Sequence, residues 1–255
     1  MRSFIYINYI NTTNIMINII IPIHVSEQNN TIGECIRTVI NNCSSFNNIS
    51  NIIIVSSKKI SINFVSNINI LLINNKDVTT RARAMNIGFK SNKSKYCMFL
   101  HCDTLLPKSF DTLVISKLSN CNFCFFKLKF DMTNLALRLV EKSVNNVRNF
   151  PYGDQCFCLN SKYHSDIGMF KDISFLEDYV YIKEQTPISY RQNVIDAYII
   201  TSSRRFFSKK GLGYSSVYKN VKNNKDLINR YNSGECIDNL SKIYYKNGLN
   251  GTYYT

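Results

Sequence analysis

Met98-Phe99-Leu100-His101-Cys102-Asp103-Thr104 (MFLHCDT) is a short apolar run that stops on a histidine and a lone carboxylate. Ser94-Lys95-Tyr96-Cys97 leads into it, so a buried strand is predicted over residues 96–100, with the polar pair just past its end. Ligands of open α/β sheets sit beyond the carboxyl ends of the strands. By themselves Asp and Thr are as well suited to a turn or a helix cap. The surrounding chain has to decide between a turn and a site.

Upstream, residues 16–23 (MINIIIPI) form a continuous β-branched run, as a strand covered on both faces does. Thr31 with Glu34 gives a capping box. Ile32, Cys35, Ile36, Val39 and Ile40 then recur at helical spacing. Residues 51–55 and 68–73 read as two more strands, and Thr79 or Thr80 opens a helix through Phe89. Downstream, Pro107 starts a helix to about Leu118, and residues 121–130 are strand-like. Leu135, Leu139, Val140, Val144 and Val147 mark an amphipathic helix, which residues 150–155 (FPYGDQ) break. A short strand follows over 156–159, a helix begins at Glu177, and a last strand covers 195–201. Strands alternating with helices predict an α/β fold with a mainly parallel central sheet flanked by helices. The expected division is an N-terminal extension at 1–15, one domain at 16–205, and a basic helical C-terminal segment at 206–255.

The bulk numbers agree with one large domain: 255 residues, 45% of them apolar. The net charge of +14 favours phosphate-bearing partners. The charge is spread along the chain with no compact Lys/Arg block, so specific nucleic-acid binding is not expected. Nine cysteines cannot all pair, and Cys121-x-x-Cys124 and Cys156-x-Cys158 lack second pairs at zinc-site spacing. Free thiols in a reducing, cytoplasmic setting are expected. Residues 1–15 are apolar but broken by Asn and lack a small-residue cleavage site, which leaves organelle targeting open. The basic, Tyr-rich C-terminal region leaves membrane association open.

Four groups of residues can carry chemistry. Asp103 is a hard oxygen ligand suited to Mg²⁺ or Mn²⁺. His101 either adds a nitrogen ligand or orients the loop. Glu177 and Asp178 are adjacent acids at a helix start, where one serves as a general base or both serve as helix-end acids. Arg81 and Asn86 lie in Thr80-Arg81-Ala82-Arg83-Ala84-Met85-Asn86-Ile87-Gly88, with Arg81 in the first helical turn, where a phosphate meets backbone N–H groups and a guanidinium. Arg204 and Arg205 follow the last strand and suit a diphosphate. P-loop, dinucleotide and nucleophile-elbow motifs are absent.

Taken in order, "IIIPI", "TRARAMNIGF", "MFLHCDT", "PYGDQ", "FLED" and "TSSRRF" resemble the family 2 glycosyltransferases of GT-A fold. In particular they resemble the radical-SAM/selenodomain-associated subgroup, and the resemblance runs from about Ile17 to Arg205. It implies inverting transfer of a sugar from a nucleotide-diphosphate sugar to an acceptor hydroxyl, with a divalent metal, Mn²⁺ or Mg²⁺. His101-x-Asp103 then takes the place of the family's Asp-x-Asp motif, with Asp103 as the metal ligand beside the donor diphosphate and His101 as its companion. Asp178 matches the general base and Glu177 its support. Pro22, Glu27, Arg81, Asn86, Arg204 and Arg205 match donor-side positions. Gly153, Asp154 and Gln155 match a loop beside the acceptor. The acceptor itself is not readable, and a lipid-linked hydroxyl is one class it leaves open. The chain departs from the family after the second strand. Ser56-Ser57-Lys58-Lys59 stands where the family has Asp-Gly-Gly-Ser, which keeps a non-catalytic, nucleotide- or partner-binding relative as the alternative.

Overall fold

A computed structural model describes residues 16–23, 29–60, 66–146, 150–187, 189, 193–207 and 212–246. β1 (Ile17–Ile23) is buried along its whole length. It lies between β2 (Ile49–Ser56) and β4 (Tyr96–Phe99), parallel to both, and β3 (Asn69–Asn74) adds a parallel edge beyond β2. Alternate side chains of a strand point to opposite faces. Ile19 and Ile21 accordingly join one core with Ile32, Cys35, Ile36 and Val39 of α1 (Asn29–Asn42). Ile20 joins the other with Ala82, Ala84 and Met85 of α2 (Arg81–Lys90). The β-branched run is therefore continuous because both faces need apolar cover.

The other half of the sheet changes direction. β7 (Phe157–Asn160) is antiparallel to β4 and to β6 (Phe123–Phe130), β8 (Val194–Thr201) is parallel to β6, and β5 (Thr104–Leu105) is antiparallel to β8. The order is β3-β2-β1-β4-β7-β6-β8-β5, a mixed sheet whose parallel run is confined to the β3–β4 half and the β6–β8 pair. Periodicity along one strand carries no information about its partner's direction, so the reversal was not readable from the pattern.

Two helix starts also differ from expectation. α1 is already helical at Asn29, which puts Thr31 inside its first turn rather than at its cap. α3 (Phe110–Leu118) begins three residues after Pro107. Ser109 adopts a left-handed conformation at φ 56°, and its N–H is tied to the Asn42 carbonyl at 2.7 Å, so the helix cannot start earlier. Thr80 caps α2 as predicted, its side chain accepting from the Arg83 N–H.

α4 (Leu135–Val144) follows β6, with Asn134 as its N-cap. α5 (Ser161–Ile167) follows β7. α6 (Glu177–Val180) continues through a π turn, Tyr181–Gln185. At the C-terminal end, α7 (Tyr214–Asn232) puts Val217 into the core shared with α1 and α4. Its Leu227 packs with Phe175 and with Leu240 of α8 (Ile237–Lys246). Among the described residues no helix is long and apolar enough to cross a membrane.

Candidate active site

β4 delivers His101 and Asp103 to the carboxyl edge of the parallel strands. The two-residue strand β5 then does something no local pattern announces. Thr104 pairs with Thr201 at the end of β8, which carries the Arg204–Phe206 turn up to Asp103. The Arg204 guanidinium reaches the Asp103 carboxylate at 3.2 Å.

His101 turns elsewhere. It is buried, and its Nδ1 lies 2.9 Å from Oδ1 of Asp154. Asp154 sits in a 3-10 turn, Gly153–Gln155, that is closed on itself: the Tyr152 N–H donates to the Gln155 side chain at 3.0 Å. The other amide end of Gln155 donates to the Phe126 carbonyl at 3.0 Å, tying the turn to β6. Arg205 meets the second oxygen of Asp154 at 3.0 Å. Its Nε is buried and has no hydrogen-bond partner among the described residues.

Glu177 is buried and ion-paired to Arg81 at the start of α2. Asp178 is held differently. One of its oxygens accepts from the Gly153 N–H at 2.8 Å and the other from the Tyr179 N–H at 2.7 Å. An added Cβ at Gly153 would meet the Asp178 carboxylate at 3.2 Å and the His101 ring at 3.3 Å, so both side chains would have to shift by a few tenths of an ångström. Cys156, after the turn, and Leu176, before α6, both hold left-handed backbone, with φ of 62° and 61°. Such strain persists only where the surroundings over-determine it, and here it flanks both loops of the site.

The electrostatics follow from these contacts. Burial would raise the Asp154 carboxyl, but the charges of Arg205, His101 and Arg81 outweigh it and hold the group well below the usual carboxylate range. Burial would lower the Arg81 guanidinium, and Glu177 with Asp178 and Asp154 reverses this. Asp103, Asp154 and Glu177 therefore each face an arginine, whereas Asp178 is held by two main-chain N–H groups.

The remaining sequence candidates divide. Pro22 lines a cleft with Ser57, Val78, Thr79 and Arg81, between the ends of β1 and β2 and the start of α2. Asn86 exchanges two hydrogen bonds with the Phe170 main chain, at 2.7 and 3.1 Å, and so fastens the 170 segment to α2. Glu27 lies outside the described residues. Two tyrosines were missed. Tyr152 precedes the Gly153 turn, and Tyr244 of α8 stacks on Phe175 at 4.3 Å close to Arg205. The spacing Ile237, Leu240, Ser241, Tyr244 is a readable helical face and would have found α8.

Among the described residues no three His, Cys, Asp or Glu side chains converge on a metal cage. Asp103 faces Arg204, and His101 has one ring nitrogen on Asp154. This donor set fits a divalent ion that takes most of its ligands from bound phosphate oxygens, as Mg²⁺ characteristically does with one or two carboxylates.

Residues 18–172 match the model of Glycosyl transferase family 2. No curated protein matches the chain. Among solved structures, S. aureus TarS (residues 1–349) is similar at a TM-score of 0.53 and 13% identity, over 74% of this chain and 61% of that one. The same fragment solved with UDP-GlcNAc gives 0.53 and 13%, over 74% and 58%. The mannosyltransferase PcManGT from Pyrobaculum calidifontis, solved with GDP-Man and Mn²⁺, gives 0.53 and 12%, over 72% and 56%. This chain thus spans about 61% of the length of TarS (residues 1–349). At these identities the likeness is one of fold: a GT-A-like mixed sheet flanked by helices.

Proposed function

Because the chain belongs to glycosyl transferase family 2, we propose that it transfers a sugar from a nucleotide-diphosphate donor to an acceptor hydroxyl, with inversion. The order of "TRARAMNIG", "FLHCDT" and "PYGDQ" extends the proposal to the radical-SAM/selenodomain-associated subgroup. We take the transferase domain as residues 16–205, with 206–255 as an appended helical segment.

Asp178 carries the reading. Of the four acids gathered at the site, three face arginines, and Asp178 is held by main-chain N–H groups that fix both its oxygens. A carboxylate so oriented suits a general base that takes the proton of the attacking hydroxyl. Asp154 is unsuited to that task, since Arg205 and His101 keep it ionised and weakly basic. It holds Arg205 instead, a guanidinium that would offset charge on a departing diphosphate. Glu177 keeps Arg81 at the first turn of α2, where the helix end also favours an anion. The cleft beside Pro22 and Ser57 opens next to Arg81, on the donor side of this reading. Asp103 would hold a divalent ion, Mn²⁺ or Mg²⁺, jointly with the diphosphate. When bound, that ion would neutralise charge on the leaving nucleotide.

The test is a thermal-shift panel of nucleotide diphosphates and nucleotide sugars, with and without Mn²⁺, followed by assays of nucleotide release. Asp178→Asn is expected to cut transfer by about 10²–10⁴-fold while the donor-induced shift stays. Unimpaired turnover in Asp178→Asn would remove it as the base.

A further inference from the structure

α4 and α7 pack against each other, and their inner sides share one core through Ala136, Leu137 and Val217. Their outer sides are unusual. On α4, Leu135 and Leu139 are 73% and 54% exposed. On α7, Tyr214, Tyr218 and Val221 are 66%, 58% and 40% exposed, and the two tyrosine rings lie parallel with centroids 6.5 Å apart. Each set recurs at i, i+4 or i+7, so each is a stripe along one helix side. Single exposed apolar residues need no explanation, but two such stripes on a pair of packed helices do.

The exposed charges beside the two stripes are mainly basic. Arg138 and Lys142 continue the α4 stripe, and Lys219, Lys222 and Lys225 flank that of α7, all exposed. Two acids of the same helices have partners of their own. Glu141 accepts from the Phe130 N–H at 2.8 Å, and Asp226 lies 3.9 Å from Arg230. An apolar centre of Leu and Tyr inside a Lys/Arg rim matches the layered chemistry of an anionic bilayer surface, with acyl chains beneath phosphate headgroups. A nucleic acid would engage the cations and gain nothing from Leu135 and Leu139.

From this charge complementarity we propose that the α4–α7 face docks on the surface of an anionic lipid bilayer. The face is also coupled to the site. Asn220 of α7 donates to the Arg205 carbonyl at 2.9 Å, and Phe206 packs on Phe130 just before α4. Docking would set the Arg204–Phe206 turn at a fixed orientation to the membrane, which suits an acceptor hydroxyl carried on a lipid. That last step rests on the transferase function, and the docking itself does not.

The experiment is flotation of the full chain with phosphatidylcholine vesicles, with and without phosphatidylglycerol, in the absence of any donor. Binding is expected with phosphatidylglycerol and not with phosphatidylcholine alone. It should fall by about tenfold or more in Leu135→Gln/Leu139→Gln, whose thermal midpoint should match the parent because both sites are exposed. Lys222→Glu/Lys225→Glu should lower it too and flatten its salt dependence. Failure to float with anionic vesicles would overturn the proposal. So would binding undiminished by Leu135→Gln/Leu139→Gln, which would assign it to the basic surface at large. A dimer that the same variant dissociates, with no vesicle binding, would assign the face to a second copy of the chain. If vesicle binding holds while the donor panel gives no shift, docking survives and the transferase function fails.

Discussion

His101 and Asp103 are two residues apart in the chain, and the fold sends them to different partners. His101 faces Asp154 on the loop after Pro151, while Asp103 faces Arg204 beyond the last strand. Their sequence setting showed polar residues at the end of a buried strand and nothing of these partners, which lie 53 and about a hundred positions further along the chain. The two roles left open for His101, metal ligand or loop support, now make different predictions. If His101 positions Asp154 and through it Arg205, then His101→Asn should lower turnover by about tenfold and leave the Mn²⁺ concentration needed for donor binding unchanged. Asp103→Ala should instead weaken the metal-dependent part of the donor thermal shift by about tenfold or more. A titration of Mn²⁺ against donor-induced stabilisation separates the two without any turnover. An equal loss of Mn²⁺ response in both variants would make His101 a ligand.

At the scale of the element, what was legible depended on whether burial wrote itself into a period. β1, β2, β4 and α2 were readable because continuous apolar runs and an N-cap threonine are local signals. β5 was not, because two residues have no period, and its importance lies wholly in pairing with β8. The antiparallel entry of β7 was hidden for the same reason: strand direction is a property of the connection. At Gly88 helix propensity and packing oppose each other. The atom that approaches it is a methyl of Ile20, which an added Cβ would meet at 2.5 Å. Ile20 is β-branched and fully buried in β1, so its side chain has little freedom to yield. Helix propensity alone says that Gly88→Ala should stabilise α2 by about 1 kcal/mol. Overpacking against β1 should win, giving a net destabilisation of about 1–2 kcal/mol. Urea unfolding of the variant decides this, since a higher midpoint would mean that Ile20 rotates aside.

Across the whole molecule the two faces of the sheet are separate cores, and the second of them encloses an ionisable group. His164 on α5 is fully buried among Phe89, Phe99, Phe170 and Tyr181. Its Nδ1 lies 2.6 Å from the Tyr181 hydroxyl, and its Nε2 has no hydrogen-bond partner among the described residues. A protonated imidazole needs two acceptors, so the neutral form is favoured, and burial lowers the pKa to about 3. The unfolded chain takes up that proton below about pH 6.5 and the folded chain only near pH 3, so between these values the unfolded state binds more protons. Stability should therefore fall as the pH drops through this window, by at most about 1.4 kcal/mol per pH unit. Carboxylates with lowered pKa, Asp154, Glu184 and Glu235 among them, add a loss of the same sign that sets in below about pH 5. The interval from pH 6.5 to 5 is thus dominated by the histidine, and the expected loss there is roughly 1.5 kcal/mol. His164→Gln cannot titrate and keeps a side-chain amide to meet Tyr181. Whatever its absolute stability, its unfolding free energy should be flatter than the parent's over that interval. Denaturant melts at several pH values give both slopes directly, and parallel slopes would mean that His164 is protonated in the folded protein or reached by water.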